Sequence, residues 1–408
     1  MKKGIHISII LFFVVAILSS CGEDRTHEYY EKTEENQWTY SKMKEVYFWR
    51  DKIKEPSRTT FFSTPSKFFS TILNSSDKMS FFTDTISTGS YGMTFALMRD
   101  PISVRPSKVY ALVLMVEPGS PADIAGVERG TWISSVGGTT LTTSKTSLLQ
   151  SGGSTKLVTE YIEYDDDTHK EYWVSGDTLQ LGAATNYNEQ AIYLDTIYTV
   201  RSKKIGYLVI NNFNGEDFIK NTQAALLRLA ENEVSDIVID LRYNSGGSII
   251  NAASLASSFV VPELYGTPFC KIVDADGEID TTYYYSAQQT SLYEKSLHIV
   301  TGERTKGTAE LLTAALNKSR PMYELMTFGS RSAASNLITK RFESPYGFAI
   351  NPVTNCMALE SGENLTATSP DFQLNELEHI QHIHTLGSEQ EYLLYNIFYY
   401  ITNGYMPE

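Results

Sequence analysis

The sequence is poor in cysteine, poor in basic side chains relative to acidic ones, and lacks nucleotide-binding glycine motifs. Its 408 residues include three cysteines, too few for a disulfide-stabilised scaffold. Because 34 Lys and Arg side chains stand against 48 Asp and Glu, the net charge is −14 at pH 7, which argues against nucleic acid as a partner. No Walker-type or dinucleotide-binding motif is present, and we predict no cofactor.

The chain also lacks an apolar run long enough to span a bilayer, which takes about 20 residues. An apolar run of about twelve, residues 7–18, follows Lys2 and Lys3, as in the core of a signal peptide. The residues that follow this run, with Ser20 and Cys21 among them, form a pattern that resembles a bacterial lipobox. We therefore expect cleavage before Cys21, lipidation of its thiol, and an outer membrane lipoprotein of the cell envelope, on its periplasmic or surface face. The alternative is a plain secretory signal with an incidental cysteine.

With 42% hydrophobic residues the chain as a whole is typical of a globular protein, and its length indicates two or three domains. The patterns below predict a mixed α/β protein with an N-terminal helical region and a β-rich module before an α/β core. The predicted divisions are a signal peptide (1–20), a tether (21–32), a helical region (33–85), a β-rich module (86–180) and an α/β core (181–408).

The first two folded regions differ in periodicity. Residues 37–53 carry apolar side chains at near-helical spacing, which predicts an amphipathic helix. From about residue 86, β-branched runs such as Val109–Val116 and 157–164 alternate with glycine pairs, as in a small β-rich module. The acidic triplet at 165–167 could bind a cation, but its place between two strand-like runs favours a hairpin turn.

The last region has the pattern of a parallel α/β sheet. Residues 205–210 and 237–241 are predicted buried strands, and residues 218–229 between them have helical periodicity. A further strand at 297–300 precedes a helix that begins near Thr308. This order predicts β-α-β units in a mostly parallel sheet.

The C-terminal segment is predicted to be a helix over residues 392–401. Ser388 and Glu391 stand at capping-box spacing before it, and Gly404 follows its end. Cys270 and Cys356, the cysteines that remain after lipidation, are compatible with a bridge or with small buried hydrophobic residues.

A histidine cluster, His379, His382 and His384, lies near Glu376 and Glu378 and could suggest a metal site. On a strand, however, His379 would point away from the other two. We therefore interpret this segment as a polar surface and predict no metal site.

Several motifs, in this order along the chain, resemble those of the carboxyl-terminal processing peptidases, also called tail-specific proteases or peptidase family S41, in their lipoprotein form with a PDZ domain. The motifs are 91–95 (YGMTF) and 116–127 (VEPGSPADIAGV), both similar to PDZ segments, 236–247 (DIVIDLRYNSGG), similar to the family's DLR.N.GG segment, and 368–371 (TSPD). The helical stretch at 37–53 resembles the family's N-terminal region. The resemblance implies a PDZ-like domain at 86–180 and a peptidase-like core at 181–408.

The resemblance also implies a peptide-binding site. In a PDZ domain an extended peptide adds to a sheet edge, and backbone N–H groups of a glycine-containing loop bind its terminal carboxylate. By position this loop is the 91–95 segment, with Tyr91, Gly92, Met93, Thr94 and Phe95. The expected partners are therefore peptides or unfolded protein C-termini.

The same resemblance implies a catalytic site that has lost its reactive side chains. The family uses a Ser at a helix N-terminus and a Lys further on as its base. When Glu310 and Leu311 are aligned, these positions fall on Gly307 and Ser335. Gly246 inherits the oxyanion-hole position, although it could also merely turn the chain. Since glycine has no nucleophile and a hydroxyl is no base near neutral pH, the sequence predicts a peptidase fold that binds without cutting.

Two relocated nucleophiles remain as alternatives. Thr308 follows the lost position and Lys306 precedes it, although adjacent residues do not face each other on a helix. Ser332 begins a second segment similar to the family motif, but no Lys occurs after Lys340 to serve as its base. The hypotheses are thus a non-catalytic peptide-binding homologue, an active serine- or threonine-type endopeptidase, and a structural envelope lipoprotein.

Overall fold

The computed structural model describes residues 26–84, 89–103, 108–150, 152–187, 189–320, 324–360 and 365–407. Its α-helices are α1 (Thr26–Val46), α2 (Pro65–Ile72), α3 (Pro121–Ile124), α4 (Phe218–Glu231), α5 (Ile249–Ser257), α6 (Thr308–Ser319) and α7 (Tyr392–Asn403). Single 3₁₀ turns lie at Arg50–Lys52, Thr60–Phe62, Thr146–Leu149, Pro262–Leu264, Glu376–Glu378 and Ile380–His382. Cys21 and the predicted signal peptide lie outside the described residues.

The strands form several sheets. They are β1 (Phe81–Asp84), β2 (Met93–Arg99), β3 (Val109–Val116), β4 (Trp132–Val136), β5 (Thr139–Thr140), β6 (Thr155–Asp165), β7 (Lys170–Leu181), β8 (Ile192–Val200), β9 (Lys203–Ile210), β10 (Asp236–Asp240), β11 (Pro268–Val273), β12 (Ile279–Tyr284), β13 (Ser296–Thr301), β14 (Leu325–Gly329), β15 (Leu337–Thr339), β16 (Phe342–Glu343), β17 (Phe348–Asn351), β18 (Val353–Ala358) and β19 (Phe372–Gln373). The predicted mixed α/β fold class is confirmed.

The chain forms two compact units. The described residues of the first are 26–84 and 339–353. In this unit β17 pairs with both β1 and β16, antiparallel in each case. Buried aromatic side chains of α2, Phe68 and Phe69, contribute to its core.

Two features of this unit differ from the sequence-based divisions. Helix α1 begins at Thr26 and ends at Val46, so part of the segment predicted as a tether is helical. Residues 339–353 belong to this unit, whereas the sequence pattern assigned them to the core. Their pairing with β1 spans more than 250 positions, which no local pattern reveals.

The β-rich module lies in the second unit and is an antiparallel sheet. Its strand order is β2-β3-β4-β6-β7, with β5 paired to β4, so β2 is an edge strand. The predicted hairpin turn at 165–167 is confirmed, because β6 and β7 pair up to Asp165 and Lys170. There the Asp165 carboxylate accepts hydrogen bonds from the backbone N–H groups of Asp167 and Thr168, at 2.9 and 3.2 Å.

The core of the second unit is a six-stranded sheet in the order β19-β14-β13-β10-β9-β8. All neighbouring pairs are parallel except β8 with β9, as the β-α-β pattern predicts. The strands are hydrophobic on both faces because both faces are covered. Thus Leu208 and Ile210 of β9 pack in one cluster with α4, α5 and α6, while Tyr207 and Val209 pack with α7 on the other face.

The C-terminal helix α7 begins one residue after Glu391 and is followed by Gly404, which has the left-handed conformation (φ 80°). The predicted capping box does not form, since Ser388 accepts from Gln390 at 3.2 Å and the Glu391 side chain binds arginines instead. Cys270 and Cys356 are both free thiols. Among the described residues no helix is both long and apolar enough to cross a membrane.

Candidate functional site

The loop that follows β10 ends in two glycines, and both have backbone conformations that favour glycine. Gly246 has φ 103° and Gly247 φ 135°. A Cβ on Gly247 would lie 2.9 Å from the backbone nitrogen of Phe213, and one on Gly246 would lie 3.4 Å from the carbonyl oxygen of Lys306. The close approach of the Phe213 backbone therefore requires Gly247, whereas at Gly246 the positive φ is what favours glycine.

Gly307 lies at the N-terminus of α6, directly beside this loop. Its backbone has φ 61° and ψ −121°. The space for a side chain is open, because a Cβ would have its nearest heavy atom, the carbonyl oxygen of Ser245, at 4.0 Å. A serine would therefore fit here sterically, at the cost of a positive φ.

The carboxylate of Glu310 joins the two positions predicted to have lost the catalytic side chains. Its Oε2 accepts hydrogen bonds from the backbone N–H groups of Gly307 (3.1 Å) and Ser335 (2.7 Å). Its Oε1 accepts from the backbone N–H of Ala334 (2.6 Å) and from the Ser332 hydroxyl. The structure thus brings Gly307 and Ser335 to one buried carboxylate, which is 1% exposed.

The N–H at the predicted oxyanion position is already used. Gly246 donates its N–H to Oδ1 of Asn244 at 2.7 Å. The amide of Asn244 in turn donates to the carbonyl of Ile210 at 2.9 Å, and Asn244 is fully buried. This asparagine therefore fixes the loop against β9 by consuming the donor that a tetrahedral intermediate would need.

Both candidates for a relocated nucleophile have hydroxyl groups in structural hydrogen bonds. Thr308 is buried, and its Oγ1 donates to the carbonyl of Gly247 at 2.8 Å. Ser332 donates to Glu310 and accepts from the N–H of Thr368 at 2.8 Å. It is 7% exposed, so neither its lone pairs nor its surface is open to a substrate.

The 91–95 segment is anchored by its first residues. Tyr91 is buried. Its hydroxyl donates a hydrogen bond to the carbonyl of Gly153 at 2.6 Å, and its backbone N–H donates to the carbonyl of Gln150 at 3.2 Å. Gly92 has φ 80° and lies so close to Ser120 that any Cβ would collide with it. The close packing against Ser120 explains why residue 92 is a glycine. Its role in binding a peptide carboxylate stays a prediction.

The rest of the 91–95 segment belongs to β2, the edge strand. The carbonyl of Phe95 accepts a hydrogen bond from the guanidinium of Arg304, and Arg304 comes just before the N-terminus of α6. The edge of the β-rich module therefore faces the loop that holds Gly307.

A cavity of about 520 Å³ joins the two regions. From the β-rich module it is lined by Gly92, Met93 and Thr94, and from the core by Ser245, Lys306 and Ala333. The predicted peptide-binding residues and the neighbours of Gly246, Gly307 and Ser335 thus share one space.

The same cavity contains a buried carboxyl group that the sequence-based reasoning missed. Glu117 is 5% exposed. Its Oε1 accepts from the Asn211 amide, while Oε2 has no hydrogen-bond partner among the described residues. Burial raises the pKa of Glu117 to about 7, the charge of Glu189 adds to the rise, and the nearby backbone of Gln190 and the Asn211 amide act to lower it. The available signal was an acidic residue directly after a fully apolar strand.

A second buried polar cluster joins the β-rich module to the core. Arg129 binds Glu376 (2.7 Å) and Glu391 (3.1 Å), and Arg242 binds the same two carboxylates. Burial acts to raise the pKa of Glu376, but the charges of Arg129 and Arg242 outweigh it and lower the pKa to about 2. Arg242 also pairs with Asp240 at 2.5 Å, so the Arg of the DLR segment has a structural role.

The histidine cluster does not assemble into a site. The ring of His379 stacks on Tyr392 at a centroid distance of 3.8 Å, while His382 and His384 are 6.3 Å apart. Within the described residues no group of three or more metal-ligating side chains occurs.

Sequence models of known families match two parts of the chain. "Peptidase family S41" matches residues 204–374, and "Peptidase S41 N-terminal domain" matches residues 34–82.

A carboxyl-terminal-processing protease of Picosynechococcus is 26% identical over 256 residues, which cover 60% of this chain and 56% of that protein. The carboxy-terminal processing protease CtpB of Bacillus subtilis is 28% identical over 137 residues, which cover 31% of this chain and 26% of that one. The chain thus spans about half or less of these curated relatives.

Solved structures share the fold. A Bacteroides fragilis protein assigned to the S41 proteases superposes with a TM-score of 0.73 at 22% identity, covering 90% of this chain and 97% of that one. The photosystem II D1 C-terminal processing protease superposes with a TM-score of 0.53 at 19% identity, covering 84% and 92%.

Proposed function

The chain belongs to peptidase family S41, and from this premise we propose that it is a lipid-anchored, non-catalytic homologue that binds peptides or protein C-termini. The observation that carries the proposal is the pair Gly307 and Ser335 on the carboxylate of Glu310. The scaffold of a helix N-terminus and a facing loop is complete, but neither position supplies a nucleophile or a base.

The chemistry of the remaining groups supports the absence of cleavage. Acyl transfer needs an activated nucleophile and donors aimed at the developing oxyanion. Gly307 has no side chain to serve as that nucleophile. The hydroxyls of Thr308 and Ser332 are buried and hydrogen-bonded, which argues against an endopeptidase with a relocated nucleophile.

Peptide binding is supported by the edge strand β2 and the adjoining cavity. In a PDZ-like domain, main-chain hydrogen bonds to an edge strand provide affinity and neighbouring pockets provide specificity. The relatives are named as processors of carboxyl termini, and the cavity holds cationic groups, Arg304 and Lys306, that complement a terminal carboxylate. We propose that the bound segment extends from β2 into this cavity.

The membrane anchor is a proposal from the N-terminal sequence. Residues 7–18 and Cys21 have the order of a lipoprotein signal, and the net charge of −14 gives the chain as a whole no attraction to an anionic membrane surface. We propose that the protein resides in the cell envelope, attached to the outer membrane through lipid alone.

The test combines binding and cleavage on the full-length chain purified in detergent. Fluorescently labelled unfolded peptides with free C-termini should bind, as followed by anisotropy, and should remain intact by mass spectrometry after prolonged incubation. Binding should weaken at least ten-fold when the peptide C-terminus is amidated.

Other outcomes favour the rival functions. Cleavage that is lost in Thr308→Ala or Ser332→Ala would establish an active endopeptidase with a relocated nucleophile. The absence of any binding to a diverse peptide library would instead favour a structural envelope lipoprotein.

A further inference from the structure

We propose that Glu117 and Glu189 form a subsite for the cationic group of a Lys or Arg side chain in the bound peptide. The inference rests on the peptide-binding function proposed above and names the class of peptide. It starts from Oε2 of Glu117, an acceptor atom with no donor among the residues that the structure describes.

The environment of this atom is unusual for a buried acid. Glu117 is 5% exposed and lines the 520 Å³ cavity, yet Oε2 has no hydrogen-bond partner among the described residues. An unsatisfied buried carboxylate oxygen is costly, and natural structures pair such atoms almost everywhere. A donor that arrives with a ligand through the cavity would remove this cost.

The second carboxylate selects a cation as that donor. Glu189 lines the same cavity and is exposed, and its charge acts unfavourably on that of Glu117. A neutral hydroxyl or amide would satisfy one oxygen and leave this repulsion in place. A guanidinium, with five donors, or an ammonium, with three, offsets the repulsion and satisfies the oxygen together.

A metal ion fits less well. Two carboxylates are fewer than the roughly six to eight oxygen ligands that Ca²⁺ takes. Within the described residues no cluster of three or more metal-ligating side chains is present.

The position of the pair connects it to the peptide path. The backbone N–H of Glu117 donates to the carbonyl of Gly92 at 2.8 Å, so the acid lies next to the start of β2. Arg304 and Lys306 line the same cavity and supply positive charge for the terminal carboxylate. Together these charges fit a C-terminal segment that carries a basic residue within a few positions of its end.

The experiment measures peptide affinity by anisotropy on the full-length chain in detergent at pH 8. A series of five ten-residue peptides is used, each with a free C-terminal carboxylate. Each peptide carries one Arg, at a different one of the last five positions, and a matched peptide carries norleucine at that position. At one position Arg should bind at least ten-fold more tightly than norleucine. The advantage should fall below three-fold in Glu117→Gln and persist in Glu231→Gln, a surface control on α4.

A small cation separates the subsite from peptide binding. Agmatine, which carries a guanidinium and an amine, should raise the thermal midpoint of the wild type at pH 8 and leave that of Glu117→Gln unchanged. If Arg and norleucine peptides bind equally, or the Arg advantage survives in Glu117→Gln, the subsite is refuted while peptide binding stands. If no peptide binds but agmatine gives its Glu117-dependent shift, peptide binding fails and the cation subsite remains.

Discussion

Glu310 and Glu117 are both buried glutamates near one cavity, but their surroundings differ. Glu310 accepts from three backbone N–H groups and one hydroxyl, so its charge is fully used inside the protein. Oε1 of Glu117 accepts from the Asn211 amide, while Oε2 has no hydrogen-bond partner in the part of the chain that the structure describes. The first is therefore a structural group that holds Gly307 to the segment at 332–335, and the second has the features of a group that meets a ligand.

The arginine-bound acids provide a third case. Glu376 and Glu391 are neutralised by Arg129 and Arg242, with no acceptor left for a ligand to satisfy. Buried charge alone thus does not mark a binding site; what distinguishes Glu117 from these acids is an oxygen with no partner among the described residues, beside a cavity.

The largest effect is expected from removing Glu310. In Glu310→Ala, three backbone N–H groups and the Ser332 hydroxyl lose their common acceptor in a buried setting. The free energy of unfolding should fall by about 4 kcal/mol, measured by urea denaturation of the full-length chain. Glu231→Ala, an exposed helical control, should change it by no more than about 0.5 kcal/mol. A loss near that of the control would mean that Glu310 does not organise this site.

The arginine cluster should give the next largest effect. Arg129→Met keeps an extended apolar side chain but leaves Glu376 and Glu391 with one arginine between them. The expected destabilisation is about 3 kcal/mol. It should be accompanied by faster proteolysis of the chain in native buffer. The control Arg341→Met alters an exposed pair with Glu343 and should be nearly neutral; equal losses in both variants would contradict the assigned role.

Glu117→Gln is expected to act in the opposite direction. The pKa of Glu117 is about 7 in the folded chain, against an ordinary value of 4.5. Because the folded state keeps its proton up to a higher pH, Glu117 favours folding below about pH 4.5. This contribution is lost as the pH rises towards about 7. The variant should therefore be more stable than the wild type at pH 8, by on the order of 2 kcal/mol, and equal to it at pH 4.

The groups that face Glu117 set the control for this titration. Glu189, Glu303, Arg304 and Lys306 line the same cavity, and of these Glu189 adds to the rise in the pKa of Glu117. Glu189→Gln should therefore lower the pKa of Glu117 and shift the pH-dependent loss of stability to lower pH. A wild-type profile that is flat between pH 4.5 and 8 would refute the raised pKa.

Local patterns predicted what depends on neighbouring residues. The apolar runs of β3, β9 and β10 and the helices that begin at Phe218 and Thr308 follow from periodicity and are observed. Contacts between residues far apart in the sequence could not be predicted from these patterns. The Asn211 that binds Glu117 lies 94 positions away, and the pairing of β17 with β1 joins distant segments. The resemblance assigns the nucleophile and base positions to Gly307 and Ser335, and this assignment stays a prediction. That both backbones bind Glu310, and that the N–H of Gly246 donates to Asn244, follows only from the three-dimensional structure.

The smallest expected effect is the recovery of catalysis in Gly307→Ser/Ser335→Lys. A Cβ at residue 307 has open space, so a serine fits there, and residue 335 lies on the segment whose backbone binds the same Glu310 carboxylate. The gain should be modest, at least ten-fold over the wild type in hydrolysis of an unfolded peptide but far below that of an efficient enzyme. Two costs limit it: the positive φ at 307 strains a serine, and Asn244 still holds the N–H of Gly246.

The controls for this recovery are the single variants and Gly307→Ala/Ser335→Lys, which should all remain at the wild-type rate because each lacks half of the dyad. A folded double variant, verified by circular dichroism, that cleaves no faster than these controls would mean that the two positions are not the ones that carried the nucleophile and its base. If the double variant cleaves Arg-containing peptides and this cleavage is lost when Glu117 is replaced, the carboxylates of Glu310 and Glu117 serve one function. Glu310 would then hold the catalytic positions in place, and Glu117 would select what reaches them.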